Sequence, residues 1–78
     1  MDLPVAVVRV VRTCRACPSQ WDAWTAQGVY VYVRYRSGRL TVDVGDSQVF
    51  CAVLGGPLDG HMEWPEVLQH APIIDATV

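Results

Sequence analysis

Cysteine and histidine are the residues of this chain best suited to chemistry. Cys14 and Cys17 form a Cys-x-x-Cys pair, Cys51 follows much later, and His61 and His70 lie near the C-terminus. Together with one histidine, the three thiolates would provide four ligands of the kind that zinc prefers. A strong zinc motif, however, has two close pairs, and here the third cysteine lies inside an apolar segment. We therefore predict no metal or other cofactor, with zinc binding by Cys14, Cys17, Cys51 and a histidine as an alternative.

Catalytic motifs are the next possibility, and the sequence offers little support for them. None of the serines, Ser19, Ser37 and Ser47, lies in a recognisable nucleophile motif with a histidine and an acid. Cys51 alternates with apolar residues of a predicted strand, so we expect a buried, unreactive thiol. The chain is predicted not to be an enzyme.

Tyrosine and arginine form a more distinctive pattern. Tyr30, Tyr32, Arg34 and Arg36 occupy alternate positions of one segment, and Arg39 follows after a short turn. Aromatic and guanidinium groups are enriched at the centres of protein interfaces. We predict a protein-binding surface made of Tyr30, Tyr32, Arg34, Arg36 and Arg39, with Trp24 as a further member. An alternative is single-stranded nucleic acid, because such sheet faces also stack bases.

The distribution of charge favours a protein partner. The chain has no lysine, its six arginines all lie within residues 1–41, and its formal net charge is −2 with an isoelectric point near 5.4. Residues 1–41 have a formal charge of +4 and residues 42–78 a formal charge of −6. An acidic chain has no broad attractive field for nucleic acid, so the arginines would have to act locally.

These side chains lie on a predicted β-hairpin, residues 29–44. Valines and Tyr35 in the first arm, and Leu40 and two valines in the second, alternate with the polar residues, the period of two expected of half-buried strands. With Ser37-Gly38 as the turn, Arg36 faces Arg39, Val33 faces Val42 and every apolar residue meets an apolar one. A shift of one residue would turn one arm's valines to solvent, so this register should be well defined.

Further elements are predicted on both sides of the hairpin. A valine-rich segment, residues 3–12, is expected to form a strand with two apolar faces, with a helix as the alternative, and residues 20–25 a strand with Trp21 and Trp24 on opposite faces. Residues 48–54 are expected to form another strand, and a short helix is expected over about residues 63–71, with Pro65 in its first turn and Pro72 ending it. The tail after Pro72 either adds an edge strand or packs beneath the helix. The predicted fold is α+β: an antiparallel sheet of four to five strands, a meander with the central hairpin 29–44, plus one short C-terminal helix.

Length and composition describe the class of protein. A 78-residue chain that is 51% hydrophobic and 18% charged predicts a single folded domain, residues 1–78. An odd number of cysteines, no secretory signal and no membrane span predict a cytoplasmic protein. Strands with two apolar faces, at residues 5–11 and 49–54, predict a homodimer, because one short helix cannot cover them all.

Three sequence segments carry a resemblance to known proteins: CPSQW, YVRYRSGRLTV and the late DGHMEWPEVL. The pattern resembles small uncharacterised proteins of actinobacteria and their phages, and covers most of residues 17–70. This resemblance implies a small phage-type accessory protein, for example an inhibitor of a host defence complex of the anti-CRISPR kind. It supplies no functional residue.

Overall fold

A computed structural model describes residues 3–14 and 18–77 of the chain. The elements run in the order β1 (Val5–Val7), β2 (Arg9–Cys14), β3 (Ser19–Trp24), β4 (Tyr30–Arg36), β5 (Arg39–Val44), β6 (Ser47–Val53), α1 (Trp64–His70) and β7 (Ile73–Asp75). Strands β2 to β6 form one five-stranded sheet in sequence order, and every neighbouring pair is antiparallel. The predicted α+β fold, a meander of antiparallel strands with one short helix near the C-terminus, is confirmed.

The central hairpin forms with the predicted register. Arg36 is opposite Arg39, and Val33 is opposite Val42. Ser37 and Gly38 both adopt positive φ angles, 53° and 73°, as a two-residue type I′ turn requires. The turn therefore has the twist that keeps two antiparallel strands in register.

One face of the five-stranded sheet is covered over its three central strands. Helix α1 and the two-stranded sheet of β1 and β7 pack on this face, and both contribute side chains to the same apolar core as β3, β4 and β5. The buried hydrophobic residues are Val5, Val7, Trp21, Ala23, Val31, Val33, Tyr35, Leu40, Val42, Val44, Met62, Val67, Ala71 and Ile73. Strand alternation places every other side chain of β3 to β5 on the opposite face of the sheet.

The N-terminal segment differs from the prediction. A single strand over residues 3–12 was expected, but the segment breaks at Val8 into β1 and β2, which belong to different sheets. Val5 and Val7 turn into the core, while β2 pairs with β3 as an edge strand. The apolar residues on both faces of this segment therefore belong to two short strands that pack in different places. The residue pattern alone does not distinguish this arrangement from one strand inside a sheet.

The C-terminal tail forms a strand of a separate sheet rather than the edge strand of the main sheet that one of its two predicted alternatives gave. Residues 73–75 form β7, which pairs in parallel with β1 and adds no strand to the main sheet. Ile73 is buried, and the Asp75 carboxylate accepts a hydrogen bond from the Trp64 indole at 2.9 Å. The tail thereby closes the covered side of the sheet.

Helix α1 agrees with its prediction to within one residue at each end. Pro65 occupies the first turn, where its missing N–H costs no hydrogen bond, and Val67 is buried. Arg12 fastens the loop before the helix: its guanidinium donates to the Glu63 carboxylate at 2.7 Å and to the Met62 carbonyl at 3.1 Å. It also lies 5.1 Å from the ring centre of Trp21. No helix within residues 3–14 and 18–77 is long and apolar enough to cross a membrane.

Candidate protein-binding face

The second face of the five-stranded sheet, here called the open face, brings all six predicted contact residues together. Trp24 lies on β3, Tyr30, Tyr32, Arg34 and Arg36 lie on β4, and Arg39 lies on β5. Strand alternation and the observed pairing put these six side chains on the side away from the core. All are half-buried or exposed, and Tyr30 keeps 40% of its surface accessible.

One end of the open face is aromatic. The ring centres of Trp24 and Tyr30 lie 5.9 Å apart, and those of Tyr30 and Tyr32 lie 6.4 Å apart. The Arg9 guanidinium carbon lies 4.8 Å from the ring centre of Trp24, a cation–π geometry. The Tyr30 hydroxyl donates a 2.6 Å hydrogen bond to the Asp22 carboxylate. These contacts order the rings within the chain itself.

The ionisation of Tyr30 reflects this arrangement. Its hydrogen bond to the Asp22 carboxylate, with partial desolvation and the negative charge of Asp22, raises the pKa of Tyr30 to about 12. The neutral form of Tyr30, which donates this hydrogen bond, therefore persists to higher pH than in an ordinary tyrosine.

The other end of the open face is rich in arginine. Arg34, Arg36 and Arg39 surround a shallow cavity of about 340 Å³, together with Ser37 and Thr41. Arg36 and Arg39 are directly opposite each other across the hairpin. Within residues 3–14 and 18–77, the ion pairs of the structure join Glu63 to Arg12 and to His61, so none of these three arginines has a carboxylate partner there.

A loop fixes the turn that separates Arg36 from Arg39. The Gly38 amide donates to the Asp59 carbonyl at 2.6 Å, and the Leu54 and Gly55 amides donate to the Gly38 carbonyl at 2.7 and 3.1 Å. The Gly55 backbone lies so close to Gly38 that a side chain there would collide with it. The arginine end of the open face is thus built on a firmly held turn.

Three open-face residues were not singled out by the sequence interpretation. Arg9 stacks on Trp24, Asp22 accepts the bond from Tyr30, and Asp43 lies opposite Tyr32. One Asp43 carboxylate oxygen is buried and accepts no hydrogen bond from the part of the chain that the structure describes. The pairing register of β2 and β3 with the hairpin would have identified Arg9 and Asp22 as neighbours of the predicted residues. The sequence of the turns before the hairpin does not determine that register.

Two expectations about cysteine change with the structure. Cys51 was predicted to be buried, but it lies opposite Thr41 and is exposed, because Phe50 and Ala52 are the β6 residues that face the core side. Cys14 and Cys51 also lie on β2 and β6, the two outer strands of the sheet. Four strand spacings separate them, roughly 19 Å, whereas two thiolates on one zinc lie within about 5 Å.

The zinc alternative is therefore wrong in its proposed ligand set. The described residues contain no group of three or more potential metal ligands, and Cys17 lies outside the described residues. His61 approaches the Glu63 carboxylate at 3.1 Å, and His70 is exposed in the last turn of α1. The hydrogen bond from Arg12, followed by the charges of Arg12 and His61, holds the pKa of Glu63 below its ordinary value. These contacts account for His61 and Glu63 as parts of the loop before α1.

Comparisons of the chain with protein-family models, with curated proteins and with solved structures found no match.

Proposed function

We propose that this chain is a non-enzymatic protein-binding module whose contact surface is the open face. The observation that carries the proposal is the difference in burial between the two faces of the main sheet. Helix α1 and the β1–β7 sheet pack on one face, while the aromatic and arginine side chains of the other face stay accessible. Exposed aromatic and arginine clusters are characteristic of interface centres.

The aromatic end supplies anchors that are already ordered. The hydrogen bond from Tyr30 to Asp22 and the ring contacts among Trp24, Tyr30 and Tyr32 restrict these side chains in the free protein. Binding then costs less side-chain entropy than it would with freely rotating rings. A partner with an apolar surface and a few hydrogen-bond acceptors fits this end of the face.

A structural use of Ser19 supports a role other than catalysis. The Ser19 hydroxyl accepts hydrogen bonds from the Met62 amide at 3.1 Å and from the Arg12 guanidinium at 3.2 Å, and the residue is fully buried. It therefore joins β3 to the loop before α1, and its oxygen is turned away from solvent.

Single-stranded nucleic acid is the second candidate, because stacked aromatic rings beside arginines on a sheet face are suited to bases and phosphates. Two carboxylates, Asp22 and Asp43, lie on the same face and would repel a phosphate backbone that crossed it. The two candidates differ in their salt response, because neutralising several phosphates makes binding fall steeply with salt concentration.

We place this activity in the cytoplasm, where the free thiols of Cys14 and the exposed Cys51 would persist in reduced form. The resemblance to actinobacterial and phage proteins suggests an inhibitor of a host defence complex as the specific version of this proposal.

Self-association through strand β6 belongs to the same proposal. This outer strand, Ser47–Val53, contains no charged residue and no proline, and Val53 is 70% exposed. The opposite outer strand, β2, carries Arg9 and Arg12. Uncharged edge strands readily pair with a second chain, whereas charges discourage such pairing.

Light scattering at several hundred micromolar protein tests this self-association. We expect a dimer mass for the natural chain and for Val11→Lys, which puts a charge on the opposite edge strand, but a monomer mass for Val53→Lys. A monomer mass for the natural chain would reject pairing through β6.

Affinity capture from a lysate of the source organism tests the proposed face. Three proteins are used as bait in parallel: the natural chain, the double variant Trp24→Ala with Tyr32→Ala, and the double variant Arg34→Glu with Arg36→Glu. The matched control is Glu66→Lys, a charge reversal at an exposed helix position on the covered side.

We expect a protein that survives nuclease treatment, is retained by the control, and is lost with both open-face variants while their circular dichroism spectra stay unchanged. Retention of every captured protein by both variants would reject the open face. Loss of all capture after nuclease treatment would favour the nucleic-acid candidate.

A further inference from the structure

The arginines of this chain divide into two groups by what they contact. Arg9 stacks on Trp24, and Arg12 bonds Glu63, the Met62 carbonyl and Ser19. Arg34, Arg36 and Arg39, the hairpin arginines, have no carboxylate within ion-pair distance in the described part of the chain. Their positive charges are thus available to a group outside this chain.

The positions of the hairpin arginines increase their mutual repulsion. Arg36 and Arg39 are directly opposite in the β4–β5 pairing, with Cβ atoms about 4.5–5.5 Å apart in such pairs. Arg34 lies two residues before Arg36 on the same side of β4, and the three surround the cavity of about 340 Å³ with Ser37 and Thr41. Like charges opposite each other destabilise a hairpin, and an anion between them would relieve that cost.

Chain geometry prepares this cavity for a ligand. The turn between Arg36 and Arg39 is held by the hydrogen bonds of Gly38 with Leu54, Gly55 and Asp59. Ser37 and Thr41 also line the cavity, and the Thr41 hydroxyl donates a hydrogen bond to the Arg34 carbonyl at 3.4 Å. A planar guanidinium donates two parallel hydrogen bonds to a carboxylate, so the hairpin arginines can receive more than one acidic side chain.

We propose that the cavity between Arg34, Arg36 and Arg39 is an oxyanion pocket that takes neighbouring aspartate or glutamate side chains from an acidic segment of the partner protein. This inference rests on the proposed function and names the chemistry of the partner. Carboxylates fit better than a nucleic-acid backbone because the rest of the open face carries Asp22 and Asp43. A phosphate backbone that crossed the open face would be repelled by these two carboxylates. A short acidic segment that contacts only the pocket would not reach them.

Nuclear magnetic resonance titration of isotopically labelled protein tests the pocket. The probe is the capped peptide Gly-Glu-Gly-Glu-Gly, and its matched control is the same peptide with glutamine in place of glutamate. Inorganic phosphate and a short oligothymidine are titrated in parallel to compare the other sources of oxyanions.

We expect saturable shifts of the amide signals of residues 34–41 with the glutamate peptide, at least about tenfold tighter than with the glutamine peptide. Arg36→Gln or Arg39→Gln should each weaken the glutamate peptide by about fivefold or more, because each removes charge-assisted hydrogen bonds. Glu66→Gln, which changes the net charge by one unit at an exposed helix position on the covered side, should change the affinity less than about twofold.

Equal binding of the two peptides, or unchanged affinity in Arg36→Gln and Arg39→Gln, would overturn the pocket. Tighter binding of phosphate or oligothymidine than of the glutamate peptide would overturn the choice of carboxylate. If the peptide fails while Trp24→Ala with Tyr32→Ala still abolishes partner capture, the pocket is rejected and the proposed function stands.

Discussion

The two faces of the five-stranded sheet use the same kinds of residue for different purposes. Trp21 and Trp24 lie on one strand, β3, yet Trp21 is 1% exposed and packs against Trp64, whereas Trp24 lies on the open face beside Tyr30 and Arg9. Arg12 and Arg34 differ in the same way, the first bonded to four groups of its own chain and the second lining an open cavity. Stability should therefore depend on the covered face, and binding on the open face.

The tryptophans should show the largest difference. Trp21→Ala empties a fully buried position and should cost about 3–5 kcal/mol of unfolding free energy, comparable with the roughly 4–12 kcal/mol expected of a domain this size. Trp24→Ala should cost about 1 kcal/mol, because its ring contacts are made at the surface. Urea denaturation followed by circular dichroism measures both.

Trp21→Phe, which keeps an aromatic ring, should lose less than Trp21→Ala and gives a folded reference if the alanine variant does not fold. Equal losses for Trp21→Ala and Trp24→Ala would remove the distinction between the faces.

The arginines should differ by a smaller amount. Arg12→Gln removes hydrogen bonds to Glu63, to Ser19 and to the Met62 carbonyl, and should cost about 1.5–3 kcal/mol. Arg34→Gln should stay within about 0.5 kcal/mol of the natural chain. Urea denaturation at neutral pH measures the stability of both variants. A larger loss of unfolding free energy for Arg34→Gln than for Arg12→Gln would show that the hairpin arginines stabilise the fold.

Acid should weaken the covered side of the molecule. The hydrogen bonds from the Thr77 side chain, the Thr77 amide and the Trp64 indole lower the pKa of Asp75, and those of Arg12 lower the pKa of Glu63. A carboxyl group with a depressed folded-state pKa contributes stability that is complete above its unfolded pKa and is lost as pH falls through the folded value. Below about pH 4, the urea concentration at the unfolding midpoint should decrease as the pH is lowered. This decrease should be smaller in Asp75→Asn. An unchanged pH dependence in Asp75→Asn would contradict this assignment.

The smallest effect is spectroscopic and concerns the open face. Tyr30, with its pKa raised to about 12 by Asp22, should ionise well after an ordinary tyrosine in an ultraviolet titration near the alkaline limit of folding. Because the folded pKa is raised, this contribution to stability is present below the unfolded pKa of about 10 and is lost as pH rises toward 12. Asp22→Asn should lower the pKa of Tyr30. An unchanged Tyr30 titration in that variant would mean that the hydrogen bond does not order the aromatic end.

Much of the fold was predictable because the central hairpin has two independent signals. Alternation and the Ser37-Gly38 turn specify the same pairing, and a shift of one residue would expose the valines of one arm, so one solution satisfies both. The helix was predictable for a similar reason, since Pro65 and Pro72 bracket a short apolar stripe.

The N-terminal segment and the cysteines were not predictable from local patterns. Residues 5–12 are apolar on both faces, which suits one strand in a sheet as well as two strands in different sheets. Cys51 lies in a segment with the same ambiguity, and its exposure depends on which β6 residues pair with the core positions of β5. The burial of these residues is determined by contacts with elements distant in the sequence, so the sequence of one segment does not predict it.

The placement of the predicted contact residues on one face of the sheet was predictable, but the organisation of that face was not. Strand alternation alone placed Tyr30, Tyr32, Arg34 and Arg36 on one face. The division of that face into an ordered aromatic end and an arginine end required the pairing of β2 with β3 and of β3 with β4, which brings Arg9 and Asp22 to Trp24 and Tyr30.

Hydroxyl-radical footprinting of the protein with its captured partner tests the open face most directly, because it reports the accessibility of individual side chains. We predict that oxidation of Trp24, Tyr30 and Tyr32 slows severalfold on binding, while that of Ile74, a half-exposed residue on the covered side, does not change. Unchanged oxidation of the three aromatic residues with protection of Ile74 would contradict the account, and would place the binding surface on the opposite side of the molecule.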